Sequence, residues 1–181
     1  VALTQMGKHY GLPVYINVGL TDSKRPDAQA GLEIGVTLAF GAAAGADIFG
    51  HMGICGVDQA TSLDILVLQN EIISYVERAV RPVDCSAEAM TVDLVDEVAR
   101  RGGTFLDSEH TVDRFRQELW MPKLLDRQFY QGWLDAGARS TEAVCRDRRD
   151  AILAEHQPEP VDPALAKAMD QIVAASRKMG I

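Results

Sequence analysis

Apolar positions in the first eighty residues come in short continuous runs rather than in alternation. Residues 14–19, VYINVG, are β-branched and apolar between Gly-Leu-Pro and Leu-Thr-Asp-Ser, the pattern of a buried strand. A helix is predicted next. Pro26 suits a first helical turn, Asp27 and Glu33 favour the positive end of its dipole, and the Ala- and Gly-rich run closes at Gly45. Residues 46–50, ADIFG, read as a second strand, and Ser62 caps a long helix over residues 63–80. This strand, helix, strand, helix order is the rhythm of a parallel α/β protein. In the long helix Ile65, Leu68, Ile72 and Val76 form one apolar row, and Leu66, Ile73 and Val80 form another. A one-sided surface helix does not need both rows. The surplus predicts cover by later helices, by another subunit or by further protein outside the chain.

From residue 83 the pattern turns charged and helical. Ser86 starts a helix with Met90, Leu94 and Val98 on one face, stopped by Arg100, Arg101 and Gly102. Residues 104–106 read as a brief extended piece, and Val112, Phe115 and Leu119 share the next helical face. Pro122 breaks that pattern before residues 124–136 resume it. A helix follows over residues 141–155. Residues 156–163 form a Pro-rich linker, and Asp162 caps a last helix with Leu165, Ala168, Met169, Ile172 and Val173 in one stripe.

Net charge is −8, spread over both halves, which argues against a nucleic-acid surface. The longest apolar run, residues 34–46, is too short to span a membrane and is stopped by Asp47. The three cysteines, Cys55, Cys85 and Cys145, lack paired-ligand spacing and fit reduced thiols in a cytoplasmic protein.

One string is far more specific than composition. Residues 108–137, SEHTVDRFRQELWMPKLLDRQFYQGWLDAG, place His-Thr, Phe-Arg, Trp120, Pro122, Asp-Arg and Trp133 at fixed offsets. This string closely resembles the C-terminal region of the trimethylamine methyltransferase family, which moves a methyl group from a methylated amine to the cobalt of a corrinoid protein. Residues 20–33, LTDSKRPDAQAGLE, and residues 63–72, LDILVLQNEI, resemble late-barrel segments of that family in the same order. The resemblance implies an α/β fold, the C-terminal part of a (β/α)8 TIM-like barrel with its last parallel strand-helix units in residues 1–82. Residues 83–181 would form an α-helical C-terminal extension. A complete barrel takes about 250 residues, more than the 181 present, and the first residue is Val1 rather than Met. The chain is therefore expected to be a fragment of a larger protein.

Parallel barrels carry reacting groups at the C-terminal ends of strands, so the resemblance directs attention to residues 17–24 and to His51 beyond the second strand. It implies Asp22 and His51 as catalytic residues. Asn17, Gly19, Leu20, Lys24, Asp27, Gln29 and Glu71 are the expected substrate-binding set, with no metal ligands. Some family members carry pyrrolysine around the position of Gly19 or Leu20. Ordinary residues there favour members acting on quaternary amines such as glycine betaine. The corrinoid (cobalamin) is expected to arrive on a cognate partner protein, with no cofactor bound directly, and a homo-oligomer is expected.

Blander readings stand beside these. The Thr-Asp-Ser-Lys stretch also reads as a polar turn with a helix cap, and Glu71 as a residue that caps or bridges helices. The spacing from His51 to Cys55 invites zinc, but a catalytic site needs three protein ligands. Residues 50–56 are the one Gly-rich candidate for an anion loop. Tyr15, Phe49, Trp120 and Trp133 suit a cation pocket, although tryptophans on such helices are more often packing anchors. His110 precedes a Thr that can start a helix, and Arg114, Arg116 and Arg127 read as helix-face ion pairs. The alternative function is a non-catalytic docking or oligomerisation segment.

Overall fold

The computed structural model describes residues 1–179. These divide into two compact units, Val1–Arg149 and the described residues from Asp150 onward. The first is an α/β arrangement dominated by helices. Helix α1 (Ala2–His9) precedes strand β1 (Tyr15–Asn17), helix α2 (Ala28–Ala43) and strand β2 (Ile48–Gly50). A small antiparallel hairpin, β3 (Ile54–Cys55) and β4 (Ala60–Thr61), leads into helix α3 (Leu63–Val80). Helices α4 (Ala87–Met90), α5 (Val92–Arg101), α6 (Glu109–Glu118), α7 (Tyr130–Asp135) and α8 (Thr141–Glu155) follow.

The expected parallel pair is present. β1 and β2 lie side by side with Ile16 opposite Phe49, and α2 connects them. Successive strand residues face opposite sides, and the pair uses both. A Cβ on Gly41 of α2 would lie 2.6 Å from Ile16 Cδ1 and 3.0 Å from Phe49 Cε1, so these two side chains point at the helix. Tyr15, Asn17 and Ile48 occupy the other face and are exposed.

Local caps explain most helix starts. Asp27 Oδ1 accepts from the Ala30 amide 3.0 Å away, which makes Asp27 the cap of α2 and leaves Pro26 just before it. Ser62 caps α3 and Ser86 caps α4 in the same way. The core lies between α2 and α3: Ala30, Ile34, Leu38, Ile65, Leu68 and Ile72 are buried there with Cys55 and Cys145. The second apolar row of α3 is largely uncovered, with Leu66 41% and Val80 47% exposed and Ile73 half-buried.

Four sequence expectations are corrected. The helix starting at Ser86 is two helices, because Thr91 adopts a left-handed conformation (φ +40°) between α4 and α5. Residues 104–107 turn rather than extend, with Leu106 N donating to Thr104 Oγ1. Helix α6 begins at Glu109, capped by Ser108, so Thr111 does not start it. Helix after Pro122 resumes only at Tyr130. The Lys123, Leu124 and Leu125 amides that would enter a helical ladder instead donate to Glu71 Oε1 at 2.7, 2.9 and 3.3 Å.

The second unit holds the end of α8, residues 156–162 and helix α9 (Pro163–Met179). Asp162 Oδ1 accepts from the Ala164 and Leu165 amides, as a capping residue should. Leu165, Met169, Ile172 and Val173 lie exposed on α9. Among the described residues, no helix is long and apolar enough to cross a membrane.

Candidate strand-end site

The loops that leave β1 and β2 converge over the N-terminal half of α3. Gly19 and Gly53, both left-handed at φ +85° and +83°, turn the backbone at the two strand ends. A Cβ on Gly19 would come within 3.0 Å of the Met52 side chain, so the loops touch. Between them lies Gln69, fully buried on α3. Its Nε2 donates to the Gly19 carbonyl at 2.5 Å, and its Oε1 accepts from the Gly53 amide at 2.6 Å. Sequence reasoning passed over Gln69, since a lone Gln in an apolar helix shows nothing of its partners.

The first loop is held by α2. Glu33 Oε2 accepts from Thr21 Oγ1 at 2.5 Å and from the Asp22 amide at 2.9 Å, while Oε1 accepts from Gln29 Nε2. Thr37 Oγ1 accepts from the Gly19 amide. Ser23, itself buried, donates from Oγ to Asp27 Oδ1. These bonds favour the charged carboxylates. The Thr21 hydroxyl, then Gln29 and the Asp22 amide, hold Glu33 below the usual carboxylate range. The Ala30 amide and the Ser23 hydroxyl do the same for Asp27.

Two folded-state values below the unfolded ones mean a contribution complete above the unfolded pKa and lost as pH falls through the folded pKa. The melting temperature is therefore expected to fall as pH drops from about 5 to about 3. Glu33→Gln should make that acid limb shallower. Parallel melting curves for the two proteins across this range would remove Glu33 from the account.

The expected residues separate into two groups. Asn17, Asp22 and Lys24 are exposed at the end of β1, Gly19 is buried and Leu20 half-buried. Lys24 Nζ donates to the Asp22 carbonyl. His51, half-buried after β2, is a non-glycine residue in the left-handed region (φ +67°). Such strain of about 1–3 kcal/mol persists where surrounding structure imposes it and clusters at functional positions. Its Nδ1 is buried without a hydrogen-bond partner, and its ring meets Tyr15 edge-on at 6.4 Å. The Tyr15 ring lies across Gly50, where an added Cβ would overlap its hydroxyl. Tyr15, Asn17 and His51 thus share the strand-end region of the open face.

Asp27, Gln29 and Glu71 have other tasks. Asp27 caps α2, Gln29 braces Glu33, and buried Glu71 gathers the three amides of residues 123–125. Phe49 packs against α2 and is not on the open face. Trp120 is an anchor: it stacks on Tyr75 at 4.5 Å, donates from Nε1 to Ser74 Oγ, and lies under the Arg127 guanidinium. Trp133 Nε1 donates to the Arg139 carbonyl. Of the arginines expected in helix-face ion pairs, Arg114 pairs with another element and Arg127 lies over two rings, while Arg100, Arg101 and Arg146 pair along their own helices. Arg114 binds Glu88, and Arg78 and Arg81 of the α3 end bind Glu118. Residues 50–56 lead into a hairpin and not into a helix N-terminus, unlike an anion loop. Among the described residues, no three His, Cys, Asp or Glu side chains gather as a metal-ligand set.

A parallel strand-helix-strand-helix unit with polar groups collected at its strand ends defines a helix-dominated α/β protein. The chain belongs to the trimethylamine methyltransferase family, whose model, trimethylamine methyltransferase (MTTB), matches residues 1–181. It is 32% identical to trimethylamine methyltransferase MttB of Methanosarcina thermophila over 93% of this chain and 34% of that protein. Identity to MttB2 of Methanosarcina mazei is 33% over 95% and 34%. Identity to the glycine betaine methyltransferase of Desulfitobacterium hafniense (strain Y51) is 29% over 98% and 37%. The chain thus spans about a third of the length of the curated relatives it matches.

Proposed function

We propose that this chain forms the last strand-helix units (residues 1–82) and the helical extension (residues 83–181) of a (β/α)8-barrel methyltransferase. Its substrate would be a methylated amine, specifically a quaternary one such as glycine betaine. The observation that carries the reading is the family match over the whole chain, on a structure in which β1 and β2 form a parallel pair. Beside β1 a recess of about 770 Å³, lined by Leu3, Ile16, Val36 and Phe40 among others, offers an apolar seat for a preceding barrel unit. Parallel sheets are ordinarily covered on both faces, and the exposed Tyr15 and Ile48 are the residues such closure would bury.

A quaternary ammonium already carries its positive charge and leaves as a neutral amine once the C–N bond breaks. It needs orientation and exclusion of water more than an acid. The Tyr15 ring offers the cation an aromatic face, worth about 0.5–2 kcal/mol. Asp22 would supply a carboxylate at the end of β1, and His51, whose ring meets Tyr15, would hold a polar group of the substrate. Asn17, Gly19, Leu20 and Lys24 complete the lining, with Lys24 suited to a carboxylate tail. A cognate corrinoid protein would supply the cobalt(I) nucleophile that accepts the methyl group.

The test mixes the full-length parent with a reduced corrinoid protein and a panel of tertiary and quaternary methylamines, following the visible spectrum of the cobalt. Conversion with a quaternary amine is expected. A parent that converts none of the panel refutes the catalytic reading. Binding of the corrinoid protein without transfer would instead favour a docking or oligomerisation segment, the reading to which the exposed stripe of α9 lends support.

A further inference from the structure

We propose that Gln69 is the positioning residue of the strand-end site, an amide strut that fixes the loop after β1 against the loop after β2. The inference rests on the reading of these loops as part of a methyltransferase barrel. Gln69 reaches neither substrate nor solvent. It acts through the residues it holds: Leu20 and Asp22 follow Gly19 closely, and His51 stands two residues before Gly53.

The chemistry of the side chain explains the choice of residue. A primary amide offers one donor and one acceptor group in a single rigid plane. Here Nε2 donates to Gly19 O and Oε1 accepts from Gly53 N, so one plane bridges positions 50 and 16 residues away in sequence. Leu would fill similar space and bond to neither loop. Asn falls one methylene short. A Glu carboxylate would keep the Gly53 amide but face the Gly19 carbonyl, oxygen against oxygen. Both hydrogen bonds are buried beside Ile65, Leu68 and Ile72, where an unpaired peptide group is costly. The left-handed glycines turn these two peptides toward α3, so the loops depend on α3 for their spacing.

The experiment uses the full-length parent and its Q69L and Q69E variants. Methyl transfer by Q69L, measured well below its melting temperature, is expected to lose about 100-fold in kcat/KM, as displaced catalytic geometry does. Q69E should be similarly slow at neutral pH and recover relative to the parent as pH falls, because a protonated carboxyl regains the donor that Gly19 requires. A part in stability alone would lower the melting temperature and leave kcat and KM of the folded variants within about twofold of the parent at every pH. That result overturns the proposal.

Amide hydrogen exchange gives a second readout that needs no catalysis. In Q69L, exchange in residues 19–24 and 52–56 is expected to rise together while α9 is unchanged. A rise in only one of the two loops, or in neither, also overturns the proposal. Failure of the unmutated parent to transfer methyl groups counts against the proposed function alone.

Discussion

Glu71→Ala is expected to destabilise the protein by about 4 kcal/mol, the largest effect of any single substitution considered. Glu71 is 3% exposed, and one of its oxygens receives the amides of Lys123, Leu124 and Leu125. Hydrogen bonds to a charged group contribute about 1.5–3 kcal/mol each, and buried donors left unpaired cost about 1–3 kcal/mol each. Three converging bonds do not add fully, since water and a relaxed backbone can recover part of the loss. Glu71→Gln keeps an oxygen acceptor in place and should cost only about 1–2 kcal/mol. Urea unfolding of the three proteins decides the matter. An alanine variant within about 1 kcal/mol of the parent would show that residues 119–129 hold their course without Glu71.

The second large effect is expected at Gly41, where α2 seats on the parallel pair. An added Cβ would press on Ile16 Cδ1 at 2.6 Å and Phe49 Cε1 at 3.0 Å, both inside the helix-facing layer. Gly41→Ala gains about 1 kcal/mol of helix propensity and loses a comparable amount to crowding, for a net near zero. Gly41→Val brings two more methyl groups and a stiff χ1, for a cost of about 3 kcal/mol. The contrast between the two variants separates crowding from backbone freedom. Equal denaturation midpoints for Val and wild type would mean that α2 can lift from the strands without penalty.

Features written in neighbouring residues were legible in the sequence. Ser62, Ser86 and Asp162 cap helices as their side-chain chemistry predicts, and Gly102 ends α5 in the left-handed conformation (φ +67°). The parallel pair was legible as well, because two apolar runs separated by a helix have few other arrangements. What escaped depends on distant partners. Residues 124–129 carry a plausible helical pattern, yet their first amides answer to a carboxylate some fifty positions earlier. Phe49 looks like a free aromatic until Gly41 is placed over it. Helix α1 has no capping side chain to announce it, and the contacts that tie it down, buried Thr4 and the ion pair from Lys8 to Asp47, are not written in neighbouring residues.

The candidate site divides along the same line. The strand ends that carry Asn17, Asp22, Lys24 and His51 follow from fold class. The polar frame beneath them, Thr21, Glu33, Thr37 and Gln69, does not, since each is an ordinary helix or loop residue until its bond is drawn. Asp27 carries both messages: it lies near the strand end in sequence, and its geometry gives it to the helix cap.

Cys55 and Cys145 are buried, and Cys85 is exposed. Cys145 is sealed in the core, and that desolvation, with the charges of Asp64 and Glu71, pushes its thiol up to about 11. At neutral pH only about one copy in ten thousand carries the nucleophilic thiolate. Oxidants and alkylating agents therefore meet the exposed Cys85 first, and modification of Cys145 marks molecules whose interior has opened.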